Sequence, residues 1–288
     1  MISIEQFEKE LDLIIKNGYR EDVGDGDHTS LSCIPLPAQG KAILLVKDTG
    51  IIAGVAFAKK AFKYFDEDLY VESFIDDGSH VTHGDVVFQV SGKSQSILKA
   101  ERFVLNAMQR MSAIATKTNF FVSLLKGTKT QILDTRKTTP GIRALEKWAV
   151  KIGGGVNHRF ALYDMIMIKD NHIDFAGGIS QAITKTKQYL SDNKLDLKII
   201  VEARNLQEIE EILKNEGIYR ILIDNFCKLH YIEDIKITMH SCPVFSTHKY
   251  ILETITFVLD DTEKSNNRKI KFYEHFSDFY RNKNYDKK

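Results

Sequence analysis

The segment 134–160, DTRKTTPGIRALEKWAVKIGGGVNHRF, concentrates positive charge around three consecutive glycines. Asp134 and Glu146 are its only acids, whereas seven of its side chains are basic: Arg136, Lys137, Arg143, Lys147, Lys151, His158 and Arg159. Like charges packed this densely are unfavourable unless a counter-charge is present. The segment therefore predicts that an anion binds here, either nucleic acid, a membrane surface or a small polyanion.

The composition of the whole chain excludes the first two of these ligands. Its 40 basic and 39 acidic side chains nearly cancel, whereas nucleic-acid binding relies on a broad excess of Lys and Arg. No apolar run approaches the ~18 residues of a membrane span, and charges interrupt the N-terminal sequence, which argues against a signal peptide. Cys33, Cys227 and Cys242 form no CxxC pair, which predicts free, buried thiols. We expect a cytoplasmic protein without a nucleic-acid or membrane partner.

Four candidate strands in the second half of the chain end in charged residues: QILDTRK (131–137), YDMIMIKDNH (163–172), LKIIVEAR (197–204) and YRILIDNF (219–226). Helical patterns separate them, at 141–152, 178–191 and 205–215. Strands that alternate with helices predict a parallel sheet, closed or open. The carboxyl ends of such strands meet at one mouth, which would hold Arg136, Lys137, Lys169, Asp170, Glu202 and Asp224.

This mouth would combine two classes of group. Its cations suit planar carboxylates or phosphates; they are Arg136, Lys137, His158, Arg159 and Lys169. Its acids are Asp170, Glu202 and Asp224. Acids beside an anion site suit Mg²⁺ held against phosphate, or a sugar carbon that becomes positive as a leaving group departs. Each residue alone fits the start of a solvated loop, so it is the recurrence at four strand ends that favours a site.

Two features of 134–160 have simpler interpretations. Arg143, Lys147 and Lys151 step by four along a helix, which is typical of a solvated face. The glycines 153–155 fit either a mobile loop or a close approach of the backbone to a ligand, because glycine has no side chain in the way.

The first part of the chain has a different pattern. Apolar residues recur at helical spacing over 4–17, and Gly18 is predicted to end that helix before a loop at 20–30. Strand patterns, an amphipathic helix over 57–66 and one or two long helices over 95–125 follow. Together they predict an α+β unit.

Six segments together resemble the quinolinate phosphoribosyltransferase family, the decarboxylating enzymes of NAD synthesis. They are EDVGDGDHTS, AERFVLNAMQRMSAIAT, the whole of 134–160, LYDMIMIKDNHI, VEARNL and IDNF, in order from about residue 20 to residue 226. The resemblance implies an α/β fold, with an N-terminal α/β sandwich domain (1–115) and an incomplete, open βα barrel that carries the active site (116–262). Residues 263–288 would form a divergent tail. It also implies a homodimer with shared active sites, and leaves a hexamer open.

The resemblance implies roles for individual residues. Quinolinate contacts fall on Arg102, Thr135, Arg136, Lys137, His158, Arg159 and Lys169. Arg102 would enter the partner's site, although it fits a surface salt bridge equally well. Glu202 and Asp224 would lie near the ribose of phosphoribosyl pyrophosphate, and Asp170 would approach the Mg²⁺ bound to its pyrophosphate. The predicted catalytic residues are Lys137, Glu202 and Asp224, and the predicted cofactor is Mg²⁺.

The implied reaction transfers phosphoribosyl from phosphoribosyl pyrophosphate to quinolinate with decarboxylation, and gives nicotinate mononucleotide, CO₂ and pyrophosphate. The end of the chain departs from the family pattern, in which two further glycine-bearing strand ends cradle the sugar's 5-phosphate. Gly217 is the last of the 17 glycines here, so the final 71 of 288 residues have none. Substitute donors would be Ser246, Thr247 and His248. Either the barrel lacks its last strands or other residues close it. The alternative function is a non-catalytic dimeric homologue that binds a dicarboxylate without the phosphate cradle.

Overall fold

The computed structural model describes residues 2–224 and the backbone of two further strands, 237–240 and 256–258. The elements of the first part are α1 (Ile4–Val23), α2 (His28–Cys33), β1 (Gln39–Leu45), β2 (Gly50–Ile51), α3 (Val55–Phe65), β3 (Tyr70–Ser73), β4 (His80–Val81), β5 (Val86–Lys93) and α4 (Ser94–Leu124). Those of the second are β6 (Gln131–Leu133), α5 (Arg143–Ile152), β7 (Ile166–Ile168), α6 (Asp170–Ala176), α7 (Ile179–Asp192), β8 (Ile199–Ala203), α8 (Leu206–Leu213), β9 (Ile218–Asp224), β10 (Ile237–His240) and β11 (Thr256–Val258).

The first part is an antiparallel sheet with helices packed on it. Its strand order is β1-β5-β3, and burial alternates along β1, because successive side chains of a strand point to opposite faces. A single core joins this sheet to α1, α3 and α4, with Phe57, Phe88 and Met111 among its buried members. The predicted α+β unit is confirmed, and the stretch 95–125 is one continuous helix, α4.

The first helix is longer than predicted. Gly18 was expected to end it, but α1 continues to Val23, and the predicted loop at 20–30 shrinks to a few residues before α2 begins at His28. A Cβ on residue 18 would overlap the ring of Phe103 in α4. Gly18 therefore allows two helices to cross closely, a requirement that arises only from their packing.

The second part is an open barrel-like sheet with the strand order β6-β11-β10-β9-β8-β7. Strands β7, β8, β9 and β10 are parallel neighbours, as the alternation of strands and helices predicts. Strand β11 differs, since it is antiparallel to both β10 and β6. A parallel bridge joins Leu133 to Val156, and within residues 2–224 no ladder joins Val156 to β7. The predicted incomplete α/β barrel is thus confirmed.

Each face of this sheet packs against its own apolar cluster. Ile199, Val201 and Ala203 of β8 pack with the helices outside, whereas Ile200 packs with Met167 and Leu222 in a smaller cluster on the other face. Lys169 lies two residues after Met167, and Glu202 lies two residues after Ile200. Because side chains alternate along a strand, Lys169 and Glu202 lie on the same face of the sheet as Met167 and Ile200.

The glycines 153–155 serve helix packing, a role that the sequence did not indicate. A Cβ on Gly153 would overlap the carbonyl oxygen of Ala115 and lie 2.8 Å from Cβ of Thr118, both in α4. A Cβ on Gly155 would lie 2.9 Å from Cγ2 of Thr118. The glycines therefore allow the end of α5 to touch α4, which ties the segment 134–160 to the long helix.

We expect the substitution Gly153→Ala to lower the free energy of unfolding by about 1–3 kcal/mol, because the added methyl group overpacks this contact. The backbone φ of Gly153 is −71°, so no conformational strain adds to the effect. Urea unfolding measures it, with Lys151→Ala at an exposed position of the same helix turn as the control, expected to change stability by less than about 0.5 kcal/mol. Equal stability of the two variants would contradict the packing role.

The predictions about the cysteines, membrane-spanning segments and domain bounds can also be compared with the fold. Cys33 is exposed rather than buried, because it ends the short surface helix α2, and Cys227 and Cys242 lie outside the described residues. No helix in the described part of the chain combines the length and apolar character needed to cross a bilayer. The division at residue 115 stays a prediction, as does the tail 263–288, which lies outside the described residues; α4 passes residue 115 without interruption.

Candidate active site

Three of the four predicted strand ends, those of β7, β8 and β9, lie side by side, whereas β6 lies at the other edge of the sheet. Ile168 pairs with Val201 in the β7–β8 ladder, and Ala203 pairs with Ile223 in the β8–β9 ladder. Lys169 therefore directly follows β7, Glu202 is the last residue but one of the neighbouring strand β8, and Asp224 is the last residue of β9. The side chain of Asp224 lies outside the described residues.

Two guanidinium groups form the cationic side of this mouth. Arg159 is only 7% exposed, and it donates to two neutral acceptors, the carbonyl oxygen of Met165 at 3.2 Å and Sδ of Met167 at 3.5 Å. Burial, and next the charge of Arg136, lower the pKa of Arg159, while the charge of Asp164 opposes this shift. The buried Nε of Arg136 has no hydrogen-bond partner among the described residues. Two cations whose described hydrogen-bond acceptors are neutral or absent favour the binding of an anion.

Lys169 and Glu202 form an ion pair across β7 and β8. Nζ of Lys169 lies 3.1 Å from Oε2 of Glu202, and the lysine side chain is 41% exposed whereas that of the glutamate is 6% exposed. The acid is thus held within the sheet while the cation reaches the mouth. Asp170 begins α6, and its Oδ1 accepts from the backbone N–H of Asn171 at 2.7 Å.

A buried carboxylate links the two cationic stretches. Asp134 directly follows β6 and accepts from the backbone N–H of His158 at 2.7 Å, from Nδ2 of Asn157 and from Nζ of Lys147. Burial raises the pKa of Asp134 and lowers that of Lys147, while the attraction between the two charges opposes both shifts. Lys147 is 3% exposed. The predicted solvated face is therefore wrong at this position, since Lys147 points inward to a counter-charge.

The other acid of the segment also has a partner. Glu146 is buried and accepts from Nε of Arg110 at 2.9 Å, and from the hydroxyl and backbone N–H of Thr139 at 2.8 Å and 3.0 Å. Arg143 donates to Oγ1 of Thr138 at 3.0 Å and to the carbonyl oxygen of Phe160 at 3.2 Å. These contacts anchor both ends of the segment on α5, so Arg143 is not on a solvated face either. Lys151 is exposed, as predicted.

The remaining predicted residues have varied surroundings. His158 is buried, and its Nδ1 accepts from the backbone N–H of Arg159. Oγ1 of Thr135 accepts from the backbone N–H of Lys137 at 3.0 Å, and the side chain of Lys137 is exposed. Arg102 is exposed on α4, and within residues 2–224 it has no ion-pair partner, contrary to a surface salt bridge.

Sequence reasoning assigned no role to the residues that hold the cations in place: Arg110, Asp134, Arg143, Glu146, Lys147 and Asn157. One signal was available, because Asp134 and Glu146 are the only acids in a strongly basic segment. An acid among so many cations at the end of a buried strand indicates an internal ion pair.

The fold and the site define an α/β protein with buried and partly buried charged side chains near the carboxyl ends of its barrel strands. The family model described as quinolinate phosphoribosyl transferase, N-terminal domain, matches residues 27–112, and that of the C-terminal domain matches residues 114–247. The chain belongs to the quinolinate phosphoribosyltransferase family. The match extends past Phe226, where the resemblance of the sequence motifs ended.

Named relatives agree with this assignment. A "Quinolinate phosphoribosyltransferase [decarboxylating] 1b" of Nicotiana tabacum is 44% identical over 232 residues, which cover 78% of this chain and 66% of the relative. A "Probable nicotinate-nucleotide pyrophosphorylase [carboxylating]" of Bacillus subtilis is 39% identical over an alignment that covers 75% of this chain and 73% of the relative. The solved structure of NadC from Streptococcus pyogenes superposes with a TM-score of 0.68 at 34% identity and covers 78% of each chain. With 66% of the Nicotiana tabacum relative covered, the chain spans slightly less than two thirds of that relative's length.

Proposed function

We propose that this protein transfers phosphoribosyl from phosphoribosyl pyrophosphate to quinolinate with decarboxylation, and forms nicotinate mononucleotide, CO₂ and pyrophosphate in NAD biosynthesis. Two observations carry the proposal: the Lys169–Glu202 ion pair across two barrel strands, and the buried Arg159, which donates to Met167 of the first of those strands. The family membership and the names of the relatives support it.

Quinolinate carries two adjacent carboxylates on a pyridine ring, so it needs several fixed cations. Arg136 and Arg159 would each bind a carboxylate through a guanidinium fork, with Lys137, Lys169, His158 and Thr135 completing the contacts. Their anchoring within the sheet and on α5 would hold the ring nitrogen in line with the sugar carbon. Positioning of this kind lowers the barrier without any protein nucleophile.

The acids would serve the ribosyl group. As the ring nitrogen attacks the anomeric carbon, pyrophosphate leaves and positive charge develops on the sugar, which the catalytic acids Glu202 and Asp224 would stabilise. Lys137, also proposed as catalytic, would keep the dicarboxylate charge neutralised. The alkylated ring is electron-poor, so the carboxylate beside the nitrogen departs as CO₂ and its carbon takes a proton from solvent.

We also propose Mg²⁺ as the ion that accompanies phosphoribosyl pyrophosphate. Among the described residues, no group of three or more His, Cys, Asp or Glu could hold a metal. This fits Mg²⁺ bound mainly through phosphate oxygens with one or two carboxylates, where Asp170 would contribute. When bound, the ion supplies positive charge to the leaving pyrophosphate.

The exposed Arg102 supports a homodimer in which each subunit completes the other's site, because its guanidinium has no ion-pair partner within residues 2–224. The compartment stays a prediction: we favour the cytoplasm, although two relatives are named as a mitochondrial and a chloroplastic protein.

Isothermal calorimetry and a product assay on the full chain test the proposal. Quinolinate and phosphoribosyl pyrophosphate with Mg²⁺ are titrated separately, and nicotinate mononucleotide is then measured with both present. We expect binding of both substrates and formation of the product. Binding of quinolinate alone would favour the non-catalytic homologue, whereas binding of neither would remove the proposed function.

A further inference from the structure

We propose that Asp134 is a positioning residue that sets the separation between two stretches of the quinolinate site, Thr135–Lys137 and His158–Arg159. The inference rests on the proposed function and adds a residue to it that does not itself touch substrate. Its basis is the place of the Asp134 carboxylate at the point where regular strand pairing stops.

The backbone pairing between β6 and the segment around Val156 is short. The N–H of Val156 donates to the carbonyl oxygen of Ile132 at 2.8 Å, and the N–H of Asp134 donates to the carbonyl oxygen of Val156 at 3.1 Å. Two residues after Val156, the N–H of His158 is the next donor along this segment in the bridge pattern. It donates at 2.7 Å to the Asp134 carboxylate instead of to a backbone carbonyl. The side chain thus continues the connection after the ladder ends.

The residues just beyond this connection would separate without it. Arg136 is two residues past Asp134 and Arg159 is one residue past His158, and the charge of Arg136 acts unfavourably on Arg159. A hydrogen bond to an ionised acceptor is roughly twice as strong as a neutral one. The bond from His158 to Asp134 therefore holds two like-charged arms at a fixed spacing that a planar dicarboxylate can bridge.

Lys147 and Asn157 favour the ionised form of the carboxylate and orient it. Nζ of Lys147 donates to Asp134 and also to the carbonyl oxygen of His158 at 3.3 Å. Nδ2 of Asn157 donates to Asp134 and to the carbonyl oxygen of Lys147 at 2.8 Å. Replacing a buried ion pair by apolar residues is often neutral or stabilising, so stability alone does not account for a charged network here. A requirement for fixed geometry does.

Two variants of the full chain test this role by calorimetry with each substrate. Asp134→Asn weakens the bond to His158, and Asn157→Ala removes one support of the carboxylate while leaving the ion pair. We expect quinolinate affinity to fall by about 10- to 100-fold in Asp134→Asn, by less in Asn157→Ala, and affinity for phosphoribosyl pyrophosphate to stay within about twofold, since its proposed contacts lie on β7, β8 and β9. Amide hydrogen exchange should show lower protection of the His158 N–H in both ligand-free variants.

The control is Glu211→Gln in the same domain, where the carboxylate accepts from the N–H of Ser180 at 3.1 Å and from its hydroxyl at 2.9 Å, away from the mouth. It should leave both affinities unchanged. Equal weakening of both substrates, in step with thermal stability, would show a structural role only and overturn the inference, as would unchanged quinolinate affinity. If Asp134→Asn does not fold, Asn157→Ala decides by the same criteria. Failure of the unsubstituted chain to bind quinolinate would instead remove the proposed function.

Discussion

Replacing Arg159 by methionine is expected to weaken quinolinate binding by about 10²- to 10³-fold, because removing one partner of a buried charge contact costs 2–5 kcal/mol or more. The same change should leave the ligand-free protein as stable as before or more stable. The guanidinium is buried, lies in the field of Arg136 and donates only to neutral acceptors, Met165 O and Met167 Sδ, in the contacts observed. A methionine of similar volume removes a buried charge that the proposed ligand would neutralise.

Calorimetry with quinolinate and thermal unfolding of the ligand-free chain measure the two effects. Arg204→Met is the matched control, since that guanidinium also follows a barrel strand but is 46% exposed and paired with Glu208 at 2.7 Å. It should leave quinolinate affinity nearly unchanged. Affinity in Arg159→Met equal to that of the control would remove Arg159 from the site, and a large loss of stability would show that its role is structural.

Glu202→Gln is expected to lower kcat by about 10²- to 10³-fold, which is the usual cost of removing one electrostatic contact that strengthens in the transition state. Glutamine keeps the shape but not the charge that would stabilise the cationic sugar. Quinolinate affinity should not fall, because Lys169 loses its ion-pair partner at 3.1 Å and remains free to bind a carboxylate. The predicted signature is thus a lower kcat with unchanged or tighter quinolinate binding.

Single-turnover formation of nicotinate mononucleotide at saturating substrates measures this rate. Glu208→Gln is the control, because it removes the same charge from a glutamate on α8. Among the ion pairs of the described residues, Glu208 pairs only with Arg204. An unchanged kcat in Glu202→Gln would contradict the catalytic role. A fall in quinolinate affinity that matches the fall in rate would place Glu202 among the binding residues instead.

Much of the site follows from periodicity and charge. The apolar runs of β7 and β8, each followed or ended by a charged residue, predict Lys169 and Glu202 at one edge of a sheet, and the observed ion pair lies there. The helical character of 95–125 also follows from local patterns, because side-chain spacing along a helix is local information, whereas the pattern left open whether one helix or two would form. Arg159 was recognised as part of an anion site from the density of charge around it.

The errors share one cause, since each depends on what packs against a residue. Lys147 has the spacing of a solvated face, yet Asp134 lies opposite it across the end of β6. Gly18 resembles a helix end and Gly153 a loop, yet each makes room for α4. Such contacts join residues far apart in the chain, and composition or spacing does not encode which pair will meet.

The amino-acid sequence by itself determined the family, the alternation of strands and helices, and the cations and acids available for chemistry, because these depend on residue identity and local periodicity. Only the tertiary structure decided which charges are held inside and which reach the mouth. Burial makes a charge costly unless a partner is present. Lys147 has its partner Asp134 within the fold, whereas the described hydrogen bonds of Arg159 go to neutral acceptors and leave a place for a ligand's carboxylate.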